Sequence, residues 1–108
     1  MKYQVNLLST AEADLFEIYK YVFINDFEYN ADKLYEKLYS TCKKLEKYPT
    51  RGHVPPELKV LGVEDFLEVH YKPYRIIYRV IEKRIFIYCI LDGRRDLSKL
   101  LEERLLRE

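Results

Sequence analysis

The sequence predicts an α+β fold, an antiparallel sheet of four to five strands packed against an N-terminal two-helix hairpin, with a short C-terminal helix. Three observations predict it. Residues 66 to 71, 74 to 81 and 84 to 91 are rich in Phe, Tyr, Val and Ile and are separated by Lys72-Pro73 and Glu82-Lys83, the pattern of an antiparallel meander. Ahead of them, Ala11, Leu15, Ile18, Tyr19 and Val22, and then Ala31, Leu34, Leu38, Cys42 and Leu45, recur at helical spacing. Past them, Leu97, Leu100, Leu101 and Leu105 describe a short last helix that exposes leucines unless something receives them.

Taken in order, residues 2 to 8 read as a short strand ended by Ser9, and Ser9 with Glu12 has the spacing of a capping box. The first helix ends near Phe23 to Asp26, and the second, with Tyr35 widening its stripe, stops before Pro49. Two such helices with a short connection form a hairpin whose apolar faces have only the sheet to cover them, so the helices belong on one face of it. Residues 49 to 57, PTRGHVPPE, are a loop, and Leu58, Val60 and Leu61 are read as a short edge strand ended by Gly62. The first strand, after its long helical excursion, can rejoin the sheet beside a distant strand, but the pattern does not say which.

A length of 108 residues suits one domain, 1–108, with two layers. The formal net charge of +1 excludes a polycation, although the charge is uneven. Residues 1 to 65 hold 9 Lys/Arg against 11 Asp/Glu, and residues 66 to 108 hold 10 against 7, so the C-terminal part suits an anionic partner without demanding nucleic acid. No run of about 18 apolar residues is present and the start lacks a basic-then-apolar leader, so a cytoplasmic protein without membrane attachment is expected. Cys42 and Cys89 have neither a paired spacing nor clustered histidines beside them, so they are read as small core hydrophobes, and no metal or cofactor is expected. His53 sits alone in a Pro-rich loop, where a histidine is more often simply exposed than catalytic.

Function is carried by arginines. Along 74 to 81, side chains alternate, which puts Tyr74, Ile76, Tyr78 and Val80 on one side and Arg75, Ile77, Arg79 and Ile81 on the other. The side with two arginines is therefore the rim of the core or a binding face. The turn Asp92-Gly93-Arg94-Arg95-Asp96 follows the last strand and, with the hairpin paired as read, stands near Arg75. Arg75, Arg94, Arg95 and Arg79 are the candidate target-binding residues, because a planar fork of donors suits phosphate or carboxylate. His70 and Lys72 can add a proton donor and a charge. No carboxylate-histidine pair and no nucleophile is legible, and Arg94 has Asp92 and Asp96 at hand as simple ion-pair partners.

The segments AEADLFEIYKYV, YPTRGHVPPEL, YRIIYRV and LDGRRDLSKLLEERLLR, in this order over nearly the whole chain, resemble the RelE/ParE superfamily of toxins from type II toxin-antitoxin modules. The resemblance implies a cognate antitoxin that wraps the toxin, with operator DNA bound only through that antitoxin. RelE-like members cut messenger RNA on the ribosome. Their motif arginine matches Arg75 and their turn arginine Arg95, whereas their lysines fall on Phe66 and Glu68 and their tyrosine on Leu101. Under that reading a metal-independent endoribonuclease would use Arg75 and Arg95, with His70 and Lys72 as substitutes. The ParE-like branch, which poisons DNA gyrase, is more similar in PE, YRIIYRV and GRRD, and implies a topoisomerase inhibitor without a defined catalytic set.

Overall fold

A computed structural model describes residues 2–107. The elements are β1 (Gln4–Leu7), α1 (Ser9–Asn25), α2 (Glu28–Lys43), α3 (Pro56–Lys59), β2 (Leu67–Tyr71), β3 (Tyr74–Ile81), β4 (Arg84–Asp92) and α4 (Ser98–Leu101), with 3-10 and π-helical turns after α2 and α4. The four strands lie in the order β1-β4-β3-β2. The meander β2-β3-β4 is antiparallel, as the sequence predicts, while β1 lies parallel to β4 with Val5 beside Ile85 and Leu7 beside Ile87. The parallel pairing follows from the α1-α2 hairpin, which carries the chain away and over the sheet before the meander begins.

One face of the sheet receives α1 and α2. Ala11, Leu15, Leu38, Cys42 and Leu45 meet Val69, Ile76, Tyr78, Ile85, Ile87 and Ile90, with Ile18 and Leu34 at the margin. Most of the helical stripes therefore pack as read, while Tyr19, Val22 and the buried Ala31 lie beyond this cluster. Both cysteine thiols are free and buried, and burial pushes each up to about 12.

Helices are not confined to that face. Leu58 of α3 and Leu97 and Leu101 at α4 bury themselves with Phe66, Ile77, Cys89 and Leu91 on the opposite side, so the C-terminal leucines cover a second small core instead of staying exposed. A β-bulge makes both cores possible. The register shifts between Ile77 and Tyr78, so that Ile77 faces Cys89 while Tyr78 faces Ile87, leaving Tyr88 as the extra residue. Ile85, Ile87 and Ile90 then share the first core although strict alternation would send Ile90 to the second. The bulge is fastened by two hydrogen bonds: Ile90 N–H donates to Asp14 Oδ2 (3.0 Å) and the Tyr88 carbonyl accepts from Arg104 (2.9 Å). Arg104 in turn grips the Asp14 carboxylate at 3.0 and 3.3 Å, clamping the last turn of the chain to α1.

Two local readings are corrected. Leu8, not Ser9, is the N-cap of α1, and no side chain caps the helix. Leu8 N–H is held by the Ile87 carbonyl (3.1 Å), which keeps the chain extended through Leu8 and makes Ser9 the first helical residue. Residues 56 to 59 form a helix, not an edge strand, because Pro56 suits a first helical turn and Leu58 has the second core to enter; Val60 and Leu61 remain exposed. Among the described residues, no helix is long and apolar enough to cross a membrane.

Candidate functional site

The loop before α3 is held by one fully buried tyrosine. Tyr78 donates its hydroxyl proton to the Pro49 carbonyl (2.8 Å) and its oxygen accepts from Gly52 N–H (3.1 Å), which satisfies the one polar atom of a large core side chain. Gly52 must lack a side chain, since a Cβ there would lie 2.5 Å from the Glu68 carbonyl oxygen and 2.8 Å from the Tyr78 hydroxyl. Pinned this way, the loop places His53 opposite Glu68 in a single antiparallel bridge, with N···O distances of 3.1 and 2.7 Å. His53 thus extends the sheet beside β2, whereas the edge strand expected at 58 to 61 does not form.

On that face of the sheet Glu68, His70, Arg75 and Ile77 stand together, because Glu68 pairs with Ile77 and His70 with Arg75. Arg75 does not point to solvent. Its Nη atoms donate to both Glu57 oxygens at 2.6 and 2.7 Å, and its Nε donates to Glu68 Oε1 at 2.6 Å. The Arg75 side chain is 11% exposed, that of Glu57 13% and that of Glu68 1%. The Arg75 guanidinium holds the Glu57 carboxyl below its ordinary value, and Glu57 in turn raises Arg75 further above its own. Gly93 makes the arrangement possible from the other side: a Cβ on Gly93 would run into Cγ and Cδ of the Arg75 stem.

The remaining candidates lie around this buried centre. His53 Nε2 is 3.1 Å from Glu68 Oε2, and His70 Nε2 is 3.6 Å from Glu68 Oε1, with the two rings edge to face at 5.4 Å. A carboxylate-histidine cluster therefore exists where none was legible, since its members come from a loop and a strand whose pairing the sequence does not announce. Arg94 folds onto Asp92, with contacts of 2.6 to 3.3 Å, and that hydrogen bonding lowers the Asp92 carboxyl to about 2. Arg79 lies over the Phe66 ring (5.8 Å) and reaches Asp65 only at 3.9 Å. Lys72 and Arg95 are exposed and form no ion pair among the described residues.

The five basic candidates thus divide. Arg75 is largely buried and gives three of its donors to two carboxylates, Arg79 lies apart over Phe66, and Lys72, Arg94 and Arg95 make an exposed cationic rim at the open end of the β2-β3 and β4 turns. Two shallow depressions meet this rim. One, of about 300 Å³, lies between His70, Lys72, Tyr74 and Arg94 with Arg75 in its wall; the other, of about 350 Å³, lies between α1 and the end of β4, where Tyr21, Tyr74, Arg94 and Arg95 face Asp14 and Glu17. Such a rim can hold an anionic surface by charge. Glu57 and Asp14 organise Arg75 and Arg104, pairings that no local pattern in the sequence announces. The signal for Glu57 was its place in the PE segment that resembles the ParE-like branch, which names no partner for it.

Three comparisons bear on this arrangement. The family model described as ParE toxin of type II toxin-antitoxin system, parDE, matches residues 5–97. Among solved structures, the chromosomal ParDE toxin-antitoxin system from P. aeruginosa is similar at 22% identity over 82% of this chain and 94% of that one, with a TM-score of 0.69. The toxin-antitoxin complex RelBE2 from Mycobacterium tuberculosis is similar at 18% identity over 85% of this chain and 92% of that one, with a TM-score of 0.63. No curated protein matches the sequence.

Proposed function

Starting from the fact that the chain belongs to the ParE toxin family of type II toxin-antitoxin systems, we propose that it arrests growth by binding a topoisomerase such as DNA gyrase and not by cutting RNA. The observation that carries this choice is the burial of Arg75 between Glu57 and Glu68. To neutralise a scissile phosphate, a guanidinium must be free to donate to it, and this one gives a hydrogen bond from each of its three nitrogens to carboxylates inside the protein. The other positions of the ribonuclease set support the same reading. Phe66 and Leu101 are core residues of the second cluster, and Glu68 is buried, so none of the three presents a charge or a hydroxyl to RNA.

Target binding then falls to the exposed rim of Lys72, Arg94 and Arg95, with Arg79 at its margin. An antitoxin silences the chain. Its docking surface is the groove beside the β1 edge, lined by Val5, Leu7, Leu15, Phe16, Tyr35 and Tyr39, where an extended segment can pair with β1 and a helix can cover the aromatic side chains. A complex tight enough to silence a toxin buries more than about 1,000 Å². Operator DNA is reached only through that partner.

Induction of the chain with and without the adjacent small reading frame tests this reading. Growth arrest relieved by the neighbour, with intact messages by primer extension, is the expected result. Codon-phased message cuts would transfer the assignment to the ribosome-dependent endoribonuclease, and absence of arrest would leave a partner-binding protein of the same fold.

A further inference from the structure

The cluster of His53, Glu68 and His70 has a geometry that the toxin reading does not use. One ligand atom from each residue lies within 4.8 Å of the others, and the closest approach, His53 Nε2 to Glu68 Oε2, is 3.1 Å. Metal-nitrogen and metal-oxygen bonds of about 2.0 to 2.1 Å in a tetrahedron put neighbouring ligand atoms roughly 3.3 Å apart. His53 and Glu68 already stand at that spacing, and rotation of the exposed His70 imidazole brings the third donor in from within 4.8 Å.

Charge points the same way. Arg75 is shared by two carboxylates, and its bidentate partner is Glu57, so the Glu57-Arg75-Glu68 group keeps one formal negative charge beside the two histidines. Glu68, whose side chain is 1% exposed, is the carboxylate that both histidines approach, and it shares Arg75 through one oxygen only. A buried carboxylate without a full counter-charge favours a cation at its free oxygen, and Oε2 is the oxygen that Arg75 leaves free. The scaffold is rigid on both sides: His53 is held by two backbone hydrogen bonds to Glu68, the Arg75 pair orients the Glu68 carboxylate from behind, and Tyr78 pins the loop.

We propose that His53, His70 and Glu68 form a binding site for a single divalent transition-metal ion of the zinc class, with the fourth position open to water. Two imidazoles and a carboxylate are a donor set suited to Zn²⁺ and poorly suited to Ca²⁺ or Mg²⁺, which take oxygen ligands. The ion would tie the loop before α3 to β2 and stiffen the segment that carries Glu57. This assignment is independent of which target the toxin binds.

The test uses the tag-free full-length chain, Zn²⁺ alone in competition with a chromophoric chelator, and Co²⁺ as a spectroscopic reporter of coordination. His53 and His70 are the only two histidines of the sequence, and both are exposed, so H53Q, H70Q and the double variant remove the imidazoles without opening the core. The Glu68→Gln variant is avoided because it disturbs the Arg75 pair. One equivalent of Zn²⁺ bound by wild type, intense four-coordinate Co²⁺ bands, and an affinity lowered at least about 10- to 100-fold in each single variant are expected, since loss of a ligand costs no less than loss of a group behind it. A Zn²⁺-dependent rise in melting temperature should be present in wild type and absent in the double variant. Failure of wild type to bind at equimolar Zn²⁺ overturns the proposal. So does binding of equal strength by wild type and a folded double variant, which would place the ion on scattered surface carboxylates.

Discussion

Glu57 holds Arg75 by two parallel hydrogen bonds of 2.6 and 2.7 Å, so that the arginine best placed by sequence to meet a phosphate is turned inward. A first helical turn that begins at Pro56 delivers Glu57, and the third position of the guanidinium goes to Glu68 on β2. Removal of Arg75 leaves Glu68 buried without its cation. The Arg75→Ala variant should lose about 3 to 5 kcal/mol of stability in urea unfolding, whereas Arg95→Ala, at an exposed position, should stay within about 0.5 kcal/mol of wild type. Equal and small losses in both would mean that the Arg75 pair has no structural weight.

Acid should weaken the same link. Glu57 has its folded carboxyl lowered from the ordinary 4.5, chiefly by the hydrogen bonds from Arg75. A depressed carboxylate contributes stability that is complete above its unfolded value and is lost as pH falls through the folded one. Urea midpoints followed from about pH 6 to about pH 3 should fall below pH 4.5 more steeply in wild type than in Glu57→Gln, which has no proton to take up there. Parallel curves for the two proteins would contradict the assignment.

Tyr78 links core to loop, and its hydroxyl serves Pro49 and Gly52 alone. In Tyr78→Phe the ring still fills the core, but a backbone carbonyl and an N–H lose their partner, at a cost of about 1 to 3 kcal/mol. Faster hydrogen exchange at Gly52 and His53, with β3 and β4 unchanged, is the expected signature. Uniform exchange across the sheet would mean that the loop is fixed by other contacts.

The large-scale layout was legible because it rests on periodicity. Three β-rich runs and two helical stripes are properties of neighbouring residues, and the superfamily segments lie in the same order. What was not legible depends on pairing. The bulge at Tyr88 moves Ile90 to the helix side and leaves Cys89 and Leu91 for a second core, and nothing in the local pattern announces that shift. With no second core in view, α3 and the buried Leu97 and Leu101 could not be placed, and Leu58 was read as part of a strand. The site suffered from the same limit. Arg75 stood out by residue type, but Glu57, 18 positions earlier, and Glu68, 7 earlier, became its partners only once the loop and β2 were paired. His53 looked solitary for the same reason.

Supercoiling of relaxed plasmid by purified gyrase in the presence of the chain shows whether the exposed rim, and not Arg75, meets a topoisomerase. Wild type should inhibit supercoiling, and a folded Arg94→Ala/Arg95→Ala variant should inhibit at least about tenfold less, the equivalent of about 1.4 kcal/mol of lost contact. Full supercoiling at every concentration of wild-type chain, together with cleaved messages in cells that express it, would contradict the account.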